Sequence, residues 1–492
     1  MAASCYNVVR MRVLMVGSEA VPFAKTGGLA DVMGALPRAL VRLGHEVDVV
    51  MPRYRGITAG TAERTLKVTL GGLVADATCH AALHQGVRTI FIGHPGYFDR
   101  DYLYGAPGHD FADNPERFAF LCQAALDWAV ESGANHDIVH AHDWQAGLVP
   151  VLLAKMLASR TVLRRLPTVF TIHNLAYQGV FDASWLPHLG LGWSLMRMDA
   201  MEYWGRISYL KAGIVFSRLI TTVSPRYAQE IQTPELGFGF DGILRARAAD
   251  LVGILNGIDY DHWDPARDPN IPVPYSAADL TGKTAAKRAL LERYRLPADE
   301  EALARPVLGI IARMVDQKGF DLLADIADEL PRLATVVLLG SGERRYEDLW
   351  LGLAARHPGQ VGVQIGFDEP LAHLIEAGAD LFLMPSKFEP CGLNQMYSLR
   401  YGTVPLVHET GGLADTVRNV DLPNGTGTGF SFDEYSPQAL LGTLRWALGV
   451  FTDRQVWRRI QAVGMQQDYS WDASARRYVE VYERARTARV WA

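Results

Sequence analysis

Cysteine is scarce in this 492-residue chain: Cys5, Cys79, Cys122 and Cys391 are scattered, with no CxxC pair. A thiolate zinc ribbon and a dense disulfide framework are excluded, and a reducing compartment fits. No uninterrupted apolar run is long enough to cross a bilayer, and residues 1–12 hold no signal-peptide core. A cytoplasmic location without a membrane partner is therefore expected. Basic residues are not in excess: 48 Lys and Arg against 54 Asp and Glu give a net charge of −6, which argues against a nucleic-acid partner. No G-x-G-x-x-G follows the first apolar run, so the main signature of a dinucleotide oxidoreductase is missing. Low-complexity tracts and solenoid periods are absent as well. Gly282-Lys283-Thr284 lacks the P-loop glycine, because Ala277 stands in its place, and reads as the start of a surface helix. Asp99-Arg100-Asp101 and Asp259-Tyr260-Asp261 match D-x-D, a metal clamp elsewhere, but read as solvated loops in an acidic chain.

What the chain does have is a recurring strand, loop and helix pattern. Short apolar runs lie at 13–16, 47–51, 89–92, 138–141, 169–172, 220–223 and 252–255, then at 307–312, 336–339, 361–365, 381–384 and 404–407. Continuous rather than alternating runs predict strands buried on both faces, hence an α/β protein with parallel sheets. The Asp-, Asn- and Pro-rich stretch 256–276 reads as a connection, with the boundary near Leu255. A smaller break at 464–470 precedes a final helix with Trp471, Ala475, Tyr478, Val479 and Tyr482 on one stripe.

Thr26-Gly27-Gly28-Leu29-Ala30-Asp31 recurs as Thr410-Gly411-Gly412-Leu413-Ala414-Asp415. Each copy follows a buried run and opens a helical pattern. Glycine pairs there let backbone N–H groups approach an anion closely, so the echo suggests two α/β domains facing one anionic ligand. His140 and His142, two apart on a strand, face the same side as metal ligands would, and keep a metal-dependent hydrolase open as a second class.

Polar clusters fall at the carboxyl ends of the predicted strands, where open α/β sheets place ligands. They are Lys25-Thr26-Gly27-Gly28, His142-Asp143-Trp144-Gln145, His173-Asn174 with Tyr177-Gln178-Gly179, the run from Arg313 to Lys318-Gly319, and Phe388-Glu389-Pro390-Cys391-Gly392-Leu393. Arg313 and Lys318 offer a planar fork and a point charge on one loop, a combination suited to a diphosphate.

In order and spacing these blocks closely resemble the glycogen and starch synthases that use a nucleotide-diphospho-glucose donor. The resemblance runs from Lys25 to Tyr469-Ser470-Trp471 and its helix. It implies the GT-B architecture, two Rossmann-like domains across a deep cleft. Residues 1–255, completed by the helix 468–492, would take the glucan, and 256–467 the nucleotide sugar. It implies transfer of glucose from ADP-glucose, with retention, to the non-reducing end of an α-1,4-glucan such as glycogen, without metal or cofactor. By the same resemblance His173, Arg313, Lys318 and Glu389 would be catalytic. Lys25, Gly27, Gly28, Asp143, Asn174, Asn256, Phe367, Cys391, Gly392, Leu393 and Asn394 would bind substrate. The family often has His at Gln145, Tyr at Phe367 and Thr at Asn394, so the details of donor recognition differ here. Lys318 and Glu389 are expected to work on the substrate without supporting the fold. UDP-glucose as donor, a phosphorylase-like enzyme with a pyridoxal lysine, and a non-catalytic glucan binder are the alternatives.

Overall fold

The computed structural model describes residues 10–106, 108–156 and 166–487, so Cys5 and the tail of the helix expected over 468–492 lie outside the described residues. The chain divides into two compact units. The first comprises the described residues up to Val223, Ala228–Gly257, and those from Trp471 onward; the second comprises Ser224–Tyr227 and Ile258–Ser470. Asn256 and Gly257 thus stay with the first unit, and residues 468–470 with the second, where the sequence reading had exchanged them.

The first unit is built on β1 (Arg12–Val16), β2 (Glu46–Pro52), β3 (Thr61–Leu70), β4 (Leu73–His84), β5 (Val87–Gly93), β6 (Ile138–His142), β7 (Thr168–Ile172), β8 (Leu219–Thr222) and β9 (Leu251–Gly253). They form one sheet in the order β9-β8-β7-β6-β1-β2-β5-β4-β3. All neighbours are parallel except β5-β4 and β4-β3. That antiparallel hairpin is absent from the sequence reading. Its signal was alternation: Leu66, Val68 and Leu70 are buried between Thr65, Lys67 and Thr69, and Gly71-Gly72 makes the two-residue turn. Helix α1 (Gly28–Arg42) follows β1, and α2 (Asn114–Glu131) lies nearly buried.

The last helix of the described residues, α3 (Trp471–Thr487), belongs to this first unit. Its buried stripe is Trp471, Ser474, Ala475, Tyr478, Val481, Tyr482 and Ala485, with Val479 only half-buried, because a 3.6-residue period selects Val481. Burial of each large apolar side chain contributes about 1.5–3 kcal/mol. Polar contacts fix the register: Asp472 accepts from Arg42 Nε at 2.9 Å, Ser474 donates to the Leu255 carbonyl at 2.7 Å, and the Tyr482 hydroxyl lies 2.8 Å from His140 Nδ1.

The second unit carries β10 (Val307–Ile311), β11 (Thr335–Gly340), β12 (Val361–Ile365), β13 (Leu381–Met384), β14 (Val404–His408) and β15 (Phe430–Phe432). They form an all-parallel sheet ordered β12-β11-β10-β13-β14-β15. Leu308, Ile310, Val336, Leu338 and Trp350 pack one face, and Val307, Val337, Leu339 and Phe382 the other. The short β15 is missed by the sequence reading, since three residues carry no periodicity. Lys283 is corrected too. It is buried in α4 (Thr281–Arg293), not on a surface helix, and donates to the Ala377 carbonyl at 2.8 Å and the Thr403 hydroxyl at 2.6 Å. No helix among the described residues is long and apolar enough to cross a membrane.

Candidate active site

In the first unit the polar residues gather where β1, β6 and β7 end. His142 Nδ1 meets His173 Nε2 at 3.0 Å, and the Asp143 carboxylate accepts the His173 backbone N–H at 2.8 Å. Asp143 has φ +55 and ψ −177, a conformation that L-residues rarely hold and that tends to occur at functional sites. Burial holds His173 and His140 near pKa 3, so both are neutral at pH 7. His140 is not presented to a metal: its ring nitrogens face the Tyr482 hydroxyl at 2.8 Å and the Thr171 hydroxyl at 2.6 Å. Asn174 is half-buried and spends its side-chain oxygen on the Ala176 N–H at 3.0 Å. Asn256 is buried with an unpartnered side-chain oxygen.

Asp143 is pushed up to about 7 by burial. Its unfolded carboxyl ionises near 3.8, so between those values the unfolded state sheds a proton that the folded state keeps. This group's contribution to stability is therefore complete below pH 3.8, declines as pH rises to about 7, and is flat above. Asp143→Asn keeps the acceptor for His173 and removes the decline. Its melting temperature should exceed that of the parent at pH 8 and converge with it at pH 4, as read by scanning calorimetry at both values.

The glycine loop ahead of α1 carries a residue that the sequence reading passed over. Buried Glu19 accepts the Thr26 N–H, the Thr26 hydroxyl at 2.6 Å, the Gly27 N–H at 3.4 Å and the Tyr104 hydroxyl. A carboxylate thus already sits at the N-terminus of α1, where the helix dipole favours it. Its place just beyond β1 was the available signal. Lys25 is half exposed and pairs with Asp31 at 2.7 Å. Gly27 and Gly28 are exposed, with open space where a Cβ would stand.

The second copy of the hexapeptide behaves differently. A Cβ on Gly411 (φ +45) would lie 1.9 Å from the Glu389 carbonyl oxygen, and one on Gly412 would lie 2.1 Å from that of Cys391. These buried glycines serve a close backbone approach that holds the Glu389 loop. The Gly412 N–H donates to the Glu389 carbonyl at 3.1 Å.

Residues after β10 and β13 meet through another glycine. Gly319, at φ +77, leaves a Cβ only 2.1 Å from the Pro385 oxygen, and the Lys387 N–H donates to Gln317 at 2.9 Å. This brings Lys318 Nζ to 2.5 Å from the Glu389 carboxylate, which also accepts from Ser386 at 3.0 Å. Arg313 is exposed, and its guanidinium has no partner among the described residues. Asn394 donates to the Ile311 carbonyl at 2.9 Å, tying that loop to β10. Cys391 is buried, Gly392 has φ +71, and Leu393 is half-buried. Phe367, after β12, is 87% exposed and stacks on no other ring among the described residues. Of the D-x-D segments, Asp99 and Asp101 both clasp Arg55, at 2.7 and 2.5 Å.

Two Rossmann-like units with ligand-type clusters at the carboxyl ends of parallel strands define a GT-B glycosyltransferase. The fold is similar to the catalytic domain of starch synthase IV from Arabidopsis thaliana bound to ADP and acarbose, with TM-score 0.88, 35% identity and coverage of 98% of this chain and 100% of that one. Sucrose-phosphate synthase from Thermosynechococcus elongatus shares the fold at TM-score 0.60 and 17% identity, over 96% and 99% of the two chains. Residues 12–246 match the family described as starch synthase catalytic domain, and residues 297–458 match glycosyl transferases group 1. Glycogen synthase of Koribacter versatilis is 46% identical over 484 residues, 97% of this chain and 99% of that protein. Glycogen synthase of Anaeromyxobacter dehalogenans strain 2CP-1 is 51% identical over 474 residues, 96% and 98% of the two. The chain belongs to the glycogen and starch synthase family of hexosyltransferases.

Proposed function

We propose that the protein transfers glucose from ADP-glucose to the 4-hydroxyl at the non-reducing end of an α-1,4-glucan, with retention, and so lengthens glycogen in the cytoplasm. The observation that carries this reading is the exposed Arg313 and, five residues on, Lys318, on the loop that meets Glu389. Carbohydrate binding alone needs no such cationic pair. The whole-length similarity to glycogen synthases, and the ADP and acarbose bound by the Arabidopsis neighbour, support the donor and the glucan.

In this reading the bond between the glucose C1 and the diphosphate oxygen breaks first, and negative charge builds on the β-phosphate. Arg313 and Lys318 stabilise that charge, so no metal or cofactor is required for the transfer. The acceptor hydroxyl attacks C1 from the face the diphosphate leaves, and its proton passes to the departing phosphate. Lys318 turns from Glu389 to a phosphate oxygen as the donor arrives, freeing the Glu389 carboxylate for the glucosyl hydroxyls. Neutral His173 and the Asp143 carboxyl hydrogen-bond the sugar, and Asn256 offers its unpartnered oxygen. Phe367 stacks on the nucleobase. A donor panel with glycogen primer tests the whole. ADP-glucose should support incorporation that survives EDTA. Preferential use of UDP-glucose would overturn the donor assignment, and EDTA inactivation reversed by zinc, in a chain whose melting temperature EDTA leaves unchanged, would overturn metal-free transfer.

A further inference from the structure

On the second unit, directly after the Phe367 loop, lies a cluster that sequence reading did not join. Helix α5 (Glu369–Gly378) opens with Glu369, and His373 follows four residues later on the same face. His262 reaches them from the irregular segment after Ile258. One ligand-type atom from each side chain lies within 4.8 Å of the other two, and no other group of this kind occurs among the described residues.

His373 is prepared as ligands are. It is fully buried, and its Nδ1 lies 2.7 Å from Asp268, whose carboxylate also accepts from the Tyr401 hydroxyl at 2.6 Å. A carboxylate only accepts, so the proton sits on Nδ1 and Nε2 keeps its lone pair. That Nε2 is buried and has no hydrogen-bond partner among the described residues. The ring plane is fixed by Trp263, stacked 3.7 Å away at 6°, with Tyr397 on the other side of the indole at 3.9 Å and 11°. A carboxylate that orients a histidine whose far nitrogen is bare is the arrangement found behind metal-ligating imidazoles. The remaining two groups, His262 Nε2 and Glu369, meet each other at 2.9 Å and are about half exposed.

We infer that His262, Glu369 and His373 bind a divalent transition-metal ion of the zinc class, with Asp268 orienting His373. Two imidazoles and a carboxylate suit zinc, which holds such ligands at about 2.0–2.2 Å and leaves a fourth position to water. Drawing the three atoms onto one ion requires movement of only about 1 Å, and the exposed His262 and Glu369 side chains are free to make it. The ion ties the segment after Ile258 to the start of α5 and to the loop that carries Phe367. Its role is structural, since none of its ligands is assigned to the transfer.

The test uses the full chain stripped with EDTA and dialysed. Cobalt(II) should bind at one equivalent with visible ligand-field bands, and zinc should displace it and raise the melting temperature by several degrees. His262→Ala and Glu369→Gln alter exposed side chains, so both should fold as the parent does. Each should lose the bands and weaken zinc binding at least tenfold in calorimetry. Asp268→Asn should weaken it about 10–100-fold while retaining one equivalent. His188→Ala, on the other unit, should change nothing. Absence of a bound equivalent at 100 µM zinc, or unchanged binding in both His262→Ala and Glu369→Gln, overturns the site. Glucosyl transfer assayed on the same preparations reads separately, so failure of the metal site leaves the transferase reading standing.

Discussion

Lys318→Ala will lower turnover about 10²–10³-fold, the loss that follows removal of one fixed donor from a developing oxyanion. Its target is the diphosphate, whose charge grows as the sugar departs. Lys318→Arg should recover little, because a planar fork does not replace a point charge in a fitted pocket. The ion pair adds an effect on folding that the sequence reading did not expect. Without Lys318, the Glu389 carboxylate is left 6% exposed with the Ser386 hydroxyl for company. That costs about 1–3 kcal/mol, so the melting temperature falls along with turnover. Glu389→Gln keeps the shape, removes the buried charge and frees Lys318. It should depress turnover while leaving ADP affinity intact or higher. The double variant should melt above Lys318→Ala alone. Steady-state kinetics, ADP calorimetry and melting on one set of preparations separate these effects. Normal kinetics in Lys318→Ala, or loss of ADP binding with normal turnover in Glu389→Gln, would falsify the assignment.

The duplicated hexapeptide should give opposite results at equivalent positions. Gly411→Ala drives a methyl to 1.9 Å from the Glu389 carbonyl at a positive φ. The loop must shift, at a cost of about 1–3 kcal/mol for overpacking and about 1 kcal/mol for the backbone. Because that loop holds Glu389, turnover should drop by at least tenfold and the melting temperature by several degrees. Gly27→Ala meets open space at an extended φ of −155. It should melt with the parent, and any loss of turnover then reports a ligand beside the loop. Equal melting of both variants would contradict the close packing at Gly411.

What could be read in advance follows from how far apart the causes lie in the chain. The runs buried on both faces announce parallel strands because each carries its signal within four or five residues, as β1 and β13 do. Arg313, Lys318 and Glu389 were legible as loop residues at strand ends, and a parallel sheet brings such ends together. The Lys318–Glu389 ion pair was not, because it depends on Gly319 lying against Pro385. The two glycine hexapeptides are identical in sequence, yet Gly27 is extended and exposed while Gly411 is buried at a positive φ. The cluster of His262, Glu369 and His373 joins residues whose proximity only the folded connection creates. The β3-β4 hairpin is the opposite case, since its alternation and Gly71-Gly72 turn were local and readable.

The return of α3 to the first unit also orders the events of synthesis. Ribosomes emit the chain from the amino end, and domains generally fold as units as they emerge. The sheet that receives α3 is complete by β9, yet the surface around His140 that takes Tyr482 stays uncovered until the whole second unit has been made. During that interval a nascent chain exposes an apolar strip that the finished protein hides, and a chaperone can occupy it. A message truncated just before Trp471 would release a product with an intact second unit and a permanently open flank on the first, a form suited to aggregation or proteolysis.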